Sequence, residues 1–261
     1  MIRVAVLGAS GKMGRLVCRA VHEAADLGLV AAINPSFEGR PLGPIAGIDT
    51  DLSVGRSVDE LLDAEAEVAV DFTQPDVVMD NVRYAVDHGI HAVVGTTGIT
   101  PEGLREIEAA LAAQSGDVGV VVAPNFSIGA VVGQRLAEEA ARFFSAAEII
   151  ELHHDQKLDA PSGTAAATAR RIAAARKEAW SGPAGDEAFR GGDVDGVRVH
   201  SVRLPGLVAH QEVIFGGDGQ TLTIRHDAPD RTSYMAGVLL AIRQVTDRPG
   251  LTVGLEPLLG L

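Results

Sequence analysis

The chain has 261 residues, enough to bury a substantial core as one large domain or two smaller ones. Hydrophobic residues make up 46% and charged residues 22%, a balance that excludes a disordered chain and a membrane-spanning one. The net charge of -13 argues against a nucleic-acid binder and makes Lys12 and Lys157 more conspicuous as cations.

The N-terminus runs straight into Ile2-Arg3-Val4-Ala5-Val6-Leu7, a strand pattern with no signal-peptide character, so a soluble cytoplasmic protein is expected. Four more apolar strands follow at 29–33, 68–72, 91–94 and 118–122. Helical segments lie between them at 12–25, 58–62, 76–87 and 101–113. Thr100 then Pro101 is a helix-start pair, a cap followed by a first-turn proline. This alternation predicts a Rossmann-like α/β domain, a doubly wound parallel sheet with its ligand beyond the carboxyl ends of the strands. Residues 35–55 are rich in Gly and Pro and read as a long loop beside the site. The single cysteine, Cys18, falls in a helical pattern and reads as a buried apolar residue.

The second half differs. A helix at 127–144 leads into a strand at 147–152 and a helix at 164–179. A polar loop at 181–196 then precedes strands at 197–204, 208–215 and 221–226. Gly216-Gly217-Asp218-Gly219 marks a hairpin between the last two. Strands this close together predict a largely antiparallel sheet in a second, α+β domain. The expected division is 1–124 for the nucleotide domain and 125–232 for a substrate and oligomerisation domain. A segment at 233–261, with a helix at 234–245 and an apolar tail at 251–259, returns to the first domain.

Gly8-Ala9-Ser10-Gly11-Lys12-Met13-Gly14 follows the first strand and opens the first helix. A dinucleotide pyrophosphate needs a tight turn, close backbone approach and a helix N-terminus. The spacing is G-x-x-G-x-x-G rather than G-x-G-x-x-G, so the motif gains weight from its context. Asn34 ends the second strand, where an acid usually bonds the adenosine ribose. Gly95-Thr96-Thr97-Gly98 and Ala123-Pro124-Asn125-Phe126 close two further strands where a nicotinamide would lie. Each taken singly is an ordinary strand-to-helix turn. Thr73 reads first as a helix cap. His200, His210 and His226 match no metal-site spacing and read as structural or surface residues, and His22, His88 and His91 have no partner motif.

The richest stretch is Glu151-Leu152-His153-His154-Asp155-Gln156-Lys157-Leu158-Asp159-Ala160-Pro161-Ser162-Gly163-Thr164-Ala165. Ser162 or Thr164 can cap the helix that follows, and a capped helix start presents free N–H groups to an anion. Gly163 permits close approach, Lys157 adds a cation, and the two imidazoles can move protons near neutral pH. The combination points to an anionic substrate that must be protonated. The plainer reading is a strand end, a loop and a capped helix with solvated polar residues.

These four motifs, in this order and over essentially the whole chain, resemble the 4-hydroxy-tetrahydrodipicolinate (dihydrodipicolinate) reductase family of the diaminopimelate and lysine pathway. The resemblance implies a homotetramer built through the second domain's sheet, and use of NADH or NADPH on a cyclic dicarboxylate. It implies His153 as proton donor and acceptor and Lys157 as proton donor. His154, Gly163 and Thr164, with Ser162 in the same turn, would bind the carboxylates. Gly8 to Met13, Gly95 to Thr97 and Ala123 to Phe126 would line the cofactor. Asn34 departs from the family's usual Asp or Glu. Losing that acid removes repulsion of a 2′-phosphate, and Lys12 and Arg40 offer cations. Dual cofactor use with a tilt towards NADPH is therefore expected. The competing readings are another two-domain oxidoreductase of amino-acid metabolism and a catalytically silent nucleotide-binding homologue.

Overall fold

Strand β1 (Ile2–Leu7) buries Val4, Ala5 and Val6 completely, so both of its faces are covered. A strand with no exposed face belongs in the middle of a parallel sheet clad in helices. In this computed structural model, which describes residues 1–114, 116–176 and 190–261, that is where it lies. The chain divides into two compact units, Met1–Phe126 with Tyr234–Leu261, and Ser127–Ser233.

The first unit adds β2 (Leu27–Ile33), β3 (Val68–Asp71), β4 (His91–Val94), β5 (Gly119–Val122) and β11 (Gly250–Val253). All pairings are parallel, in the order β11-β5-β4-β3-β1-β2. The chain winds outward from β1 to β2, then crosses back to β3. The carboxyl ends of β1 and β3 therefore form the topological switch point, the usual ligand crevice of such sheets.

Helix α1 (Gly14–Glu23) buries Gly14, Val17, Cys18 and Val21, an i, i+3, i+4, i+7 stripe. Burial pushes the Cys18 thiol up to about 12, which keeps it an inert apolar group. The helix starts two residues later than the pattern predicts, because the Gly-rich turn runs on to Met13. The stretch at 35–55 is not a structureless loop. It holds a 3-10 turn at Pro35–Phe37 and helix α2 (Leu42–Ala46), with bridges from Ile33 to Gly55 and Pro41 to Ser53. Buried Leu42 and Ala46 anchor it, two residues whose spacing is too short to stand out among the glycines and prolines. Short helix α3 (Glu60–Asp63) and α4 (Val78–Asp87) follow, and α5 (Pro101–Ala113) starts as expected, with Thr100 Oγ1 accepting from Gly103 N at 3.2 Å. Thr73 does not cap α4: it lies five residues before the helix begins at Val78, and its hydroxyl donates to Asp71 Oδ1 at 2.7 Å. His91 has a partner after all, accepting from Gly119 N at 2.9 Å through Nδ1. The unit closes with α8 (Met235–Val245), β11 and α9 (Glu256–Leu259), so the apolar tail becomes the outer strand beside β5.

The second unit packs α6 (Ile128–Ala140) and α7 (Gly163–Ala175) on one face of a five-stranded sheet. Its strands are β6 (Ala146–His153), β7 (Gly192–Val194), β8 (Val197–Arg203), β9 (Ala209–Gly217) and β10 (Gln220–Ala228), in the order β10-β9-β6-β8-β7. The late strands are not simple sequential neighbours. β6 inserts between β8 and β9, and it pairs parallel with β8, the crossover being the connection that carries α7. β9 and β10 form the expected hairpin, turning at Asp218-Gly219 with Gly219 at φ 69°. β7 occupies part of the expected polar loop; residues 177–179 of the expected helix and 181–189 of that loop lie outside the described residues. Alanines on α6 and α7 let these helices sit close to Ala147, Ile149, Val199, Val213 and Phe215.

A Cβ added to Gly14 would lie 2.1 Å from Gly8 O, a backbone atom that cannot move aside. Gly14→Ala should therefore cost about 2 kcal/mol through overpacking and lower the melting temperature by roughly 4–8 °C. A calorimetric melt checks this, and an unchanged midpoint would contradict the close packing of the turn.

Candidate active site

In the first unit the switch point opens into a cleft of about 660 Å³. Gly8, Gly11 and Asn34 line it together with Ser36, Arg56, Thr73 and Asn81. Gly8 has φ 77°, and a Cβ there would lie 2.3 Å from Phe72 O, so the turn hugs the end of β3 as a phosphate-cradling turn must. Ser10 Oγ is buried with no hydrogen-bond partner among the described residues. An orphaned hydroxyl, a glycine turn and an uncapped start to α1 together fit a nicotinamide nucleotide's pyrophosphate.

Not every expected cofactor residue faces that cleft. Ala9 is fully buried, and Ser10, Lys12, Met13, Gly95, Thr96, Thr97 and Ala123 to Phe126 are not part of its lining. Gly95–Thr97 and Ala123–Phe126 follow the carboxyl ends of β4 and β5, further along the sheet. Phe126 is core, with its ring 5.9 Å from that of Phe72, and Gly95 is needed because a Cβ would meet the Phe72 ring. Asn34 Oδ1 is taken by Ser36 N at 3.2 Å, capping the 3-10 turn. The cations also differ from expectation. Arg40 stacks on Phe37, 5.1 Å from its centroid, whereas the cleft is lined by Arg56, which pairs with Glu38 at 3.6 Å. Arg56 follows Gly55 without any local motif, which is why the sequence does not flag it.

Beneath the cleft's floor, Asp71 is a buried carboxylate. It accepts from Thr73 N at 2.9 Å, Thr73 Oγ1 at 2.7 Å, Thr96 Oγ1 at 2.6 Å and Asn81 Nδ2 at 2.8 Å. These bonds tie the turns after β3 and β4 to one anchor.

In the second unit the two-residue period of β6 turns Ala147, Ile149, Glu151 and His153 to the helix-covered face. Glu151 has 0% exposure, at a position where the pattern calls for an apolar side chain. His153 Nδ1–H donates to Glu151 Oε2, which leaves Nε2 as the ring's other functional atom. Arg203, directly across from His153 on β8, donates to both carboxylate oxygens at 3.0 and 2.8 Å and to Asp159 O at 2.6 Å. Ser162 N donates to Glu151 Oε1 at 3.3 Å. Burial pulls the Glu151 carboxyl upward, but bonds from His153, Arg203 and Ser201 outweigh it and hold it at about 2.

His154 follows β6 and accepts from Lys157 N at 3.1 Å through its carbonyl. Lys157 Nζ pairs with Asp159 Oδ1 at 2.7 Å, and the lysine's bond holds the Asp159 carboxyl below its ordinary range. The Ala160–Pro161 peptide is cis. Ser162, not Thr164, caps α7, its buried Oγ accepting from Ala165 N at 3.2 Å. Its side chain is therefore occupied, and Gly163 and Thr164 are left at the helix start. Gln134 on α6 fixes that start from below, donating to Thr164 O at 3.2 Å and Thr168 Oγ1 at 3.1 Å. A Cβ on Gly163 would meet nothing within 4 Å, so packing among the described residues does not account for this glycine.

His200 and His210 lie on the opposite face of the sheet, bonded to Glu148 at 2.9 Å and Asp227 at 2.7 Å. His226 faces Ser127 Oγ at 3.2 Å. None of the three joins the His153 cluster.

A doubly wound sheet with a glycine turn at its switch point, and a separate unit carrying an anchored imidazole beside a lysine and a helix start, define a two-domain, nucleotide-dependent oxidoreductase. The models for the N-terminus and the C-terminus of dihydrodipicolinate reductase match residues 2–126 and 129–259, and the chain belongs to that family. The 4-hydroxy-tetrahydrodipicolinate reductase of Nocardia farcinica is 53% identical over 266 residues, covering 100% of this chain and 99% of the relative. That of Cutibacterium acnes is 53% identical over 267 residues, covering 100% of both. A dipicolinate-bound dihydrodipicolinate reductase from Paenisporosarcina sp. TG-14 superposes with a TM-score of 0.86 at 40% identity, covering 98% and 99% of the two chains. An amine dehydrogenase of Mycobacterium smegmatis shares the fold alone, at 17% identity, a TM-score of 0.65 and coverage of 96% and 94%.

The depressed Glu151 carboxyl makes a pH prediction. A carboxyl at about 2 in the folded chain, against an ordinary 4.5, stabilises the fold fully above pH 4.5. That contribution, on the order of 3 kcal/mol, is lost as the pH falls from 4.5 towards 2. Denaturant unfolding between pH 7 and 3 should show a steeper loss in wild type than in Glu151→Gln; parallel curves would mean the carboxylate is not held in this way.

Proposed function

We infer that the chain catalyses the nicotinamide-dependent reduction of 4-hydroxy-tetrahydrodipicolinate to tetrahydrodipicolinate, in diaminopimelate and lysine biosynthesis and in the cytoplasm. The observation that carries the reading is in the second unit, where His153 and the α7 start at Ser162 are both bonded to Glu151, and Arg203 ties the same carboxylate to the segment in which Lys157 pairs with Asp159. The bound nucleotide supplies a hydride. The chain's own residues bind, orient and protonate. Backbone N–H groups at Gly163 and Thr164, the Thr164 hydroxyl and His154 hold the carboxylates of the cyclic substrate. Lys157 exchanges its Asp159 partner for substrate and serves as a proton donor. His153 Nε2 transfers protons at the ring. One hydride and one proton enter per turnover, and the 4-hydroxyl leaves as water.

The cleft in the first unit is assigned to the nucleotide. Gly8, Gly11 and the α1 start would hold its pyrophosphate, with Asn34, Ser36 and Arg56 near its ribose. Asn34 carries no charge to repel a 2′-phosphate, and Arg56 adds a cation, so both cofactors are accepted with NADPH preferred. The test follows nucleotide oxidation with the cyclic substrate. His153→Ala should lower kcat roughly 10²–10⁴-fold while nucleotide affinity holds, and wild type should show the higher kcat/KM with NADPH. Near-wild-type turnover in the alanine variant would remove His153 from the mechanism.

We further propose a homotetramer built through the open face of the second unit's sheet. Half-buried Ile150, Leu152, Val202 and Ile214 lie there among paired charges, Glu212 with Arg225 at 3.1 Å and Glu148 with His200 at 2.9 Å. Apolar side chains ringed by satisfied charges suit a self-complementary contact. Light scattering at micromolar concentration should give four times the chain mass of 27.1 kDa; a monomer would refute the assignment.

A further inference from the structure

Glu151 follows Ala147 and Ile149, small or apolar core residues, on its face of β6, and precedes His153 there. A carboxylate there has a desolvation cost that an apolar residue would avoid, and a buried ion pair adds little net stability over such a residue. Its presence there therefore calls for a role. One oxygen receives the His153 Nδ1–H and one Arg203 nitrogen; the other receives Arg203 and the Ser162 N–H. The imidazole bonds to Glu151 on its own strand and lies across from Arg203 on β8, and Arg203 also holds the carbonyl of Asp159, the partner of Lys157. Across from His153 on β9 stands Ala209, and across from Glu151 stands Gln211, neither of them charged.

We propose that Glu151 is the positioning residue for His153, accepting from Nδ1–H so that Nε2 is the atom presented for proton transfer. The inference rests on the assignment of His153 as the proton-transferring group. Arg203 keeps the carboxylate ionised, so Glu151 takes up no proton during the cycle. In the donating step the ring starts doubly protonated and gives its Nε2 proton to the substrate; the Nδ1–H stays on what is then a neutral ring, and solvent restores the Nε2 proton. Because Glu151 also binds Ser162 N, the cap of α7, the same carboxylate sets the imidazole against the helix start that holds the substrate's carboxylates.

The test is a double-mutant cycle on kcat and KM, with dipicolinate binding by calorimetry and a thermal melt as controls for the fold. Glu151→Gln keeps an acceptor's shape but not its charge. It should lower kcat roughly 10²-fold, with KM changed less than about threefold. In a His153→Ala background the same change should alter the residual kcat by less than about twofold, because a positioning residue acts only through the group it positions. An equal loss in both backgrounds would make Glu151 merely structural and overturn the proposal, as would a wild-type kcat in the single variant. If Glu151→Gln does not fold, Glu151→Asp, which keeps the charge but withdraws it by one methylene, is read in the same cycle with the same expectation. The two layers fail separately. A fully active His153→Ala overturns the assignment of His153, whereas an inactive His153→Ala beside a wild-type-like Glu151→Gln overturns only the positioning role of Glu151.

Discussion

The carboxylate of Glu151 is the constraint on which the second unit's chemistry depends. It lies near the end of the central strand β6, without solvent contact, and needs donors in place of water. Those donors come from three separate segments: His153 on the same strand, Arg203 and Ser201 on β8, and Ser162 before α7. Arg203 reaches on to Asp159 O, so the segment holding Lys157 is tied to the same point. One charge thus fixes a strand end, a neighbouring strand and a helix start in register. Removing any one donor would leave the carboxylate undersatisfied, which is costly in a low-dielectric site.

The first unit uses the same device with different chemistry. Asp71 ends β3 as Glu151 nearly ends β6, and it too is buried. Its donors are neutral: the amide and hydroxyl of Thr73, the Thr96 hydroxyl and the Asn81 amide. None of these partners is titratable, and the bonds organise the turns after β3 and β4. The contrast follows from the partner: a carboxylate facing hydroxyls makes a scaffold, whereas one facing an imidazole fixes which ring nitrogen carries a proton.

Most of the parallel sheet was legible because buried strands are short apolar runs and the helices between them carry strong 3.6-residue stripes. The hairpin was legible from Asp218-Gly219. The order of the second sheet was not, since consecutive strands normally neighbour one another and nothing local announces that β6 will insert between β8 and β9. The helix hidden in 35–55 was missed because Gly and Pro dominate the composition, although only two buried residues are needed to anchor it. In the site, His153, Lys157 and the α7 start stood out by residue type. Glu151 did not, although it is the one acid in phase with Ala147 and Ile149 on the inward face of β6, a signal that the two-residue period contains. Arg203 was not visible at all, because its meaning lies in a register across 50 residues of chain.

Glycine separates scaffold from site more cleanly than any charge does. At Gly8, Gly14 and Gly95 an added Cβ would strike Phe72 O, Gly8 O or the Phe72 ring, so each of these glycines is explained by the fold's own packing. Whatever they contribute to a nucleotide comes through the tight turn that this packing produces. At Gly163 the added Cβ meets open space among the described residues, and the backbone there needs no positive φ. Alanine would suit a first helical turn better by propensity. A glycine that neither packing nor conformation requires, at a helix start beside an anchored imidazole, is best accounted for by a ligand that comes close to the backbone. The chain has thus given up some helix stability at the point where its substrate's carboxylates are proposed to bind.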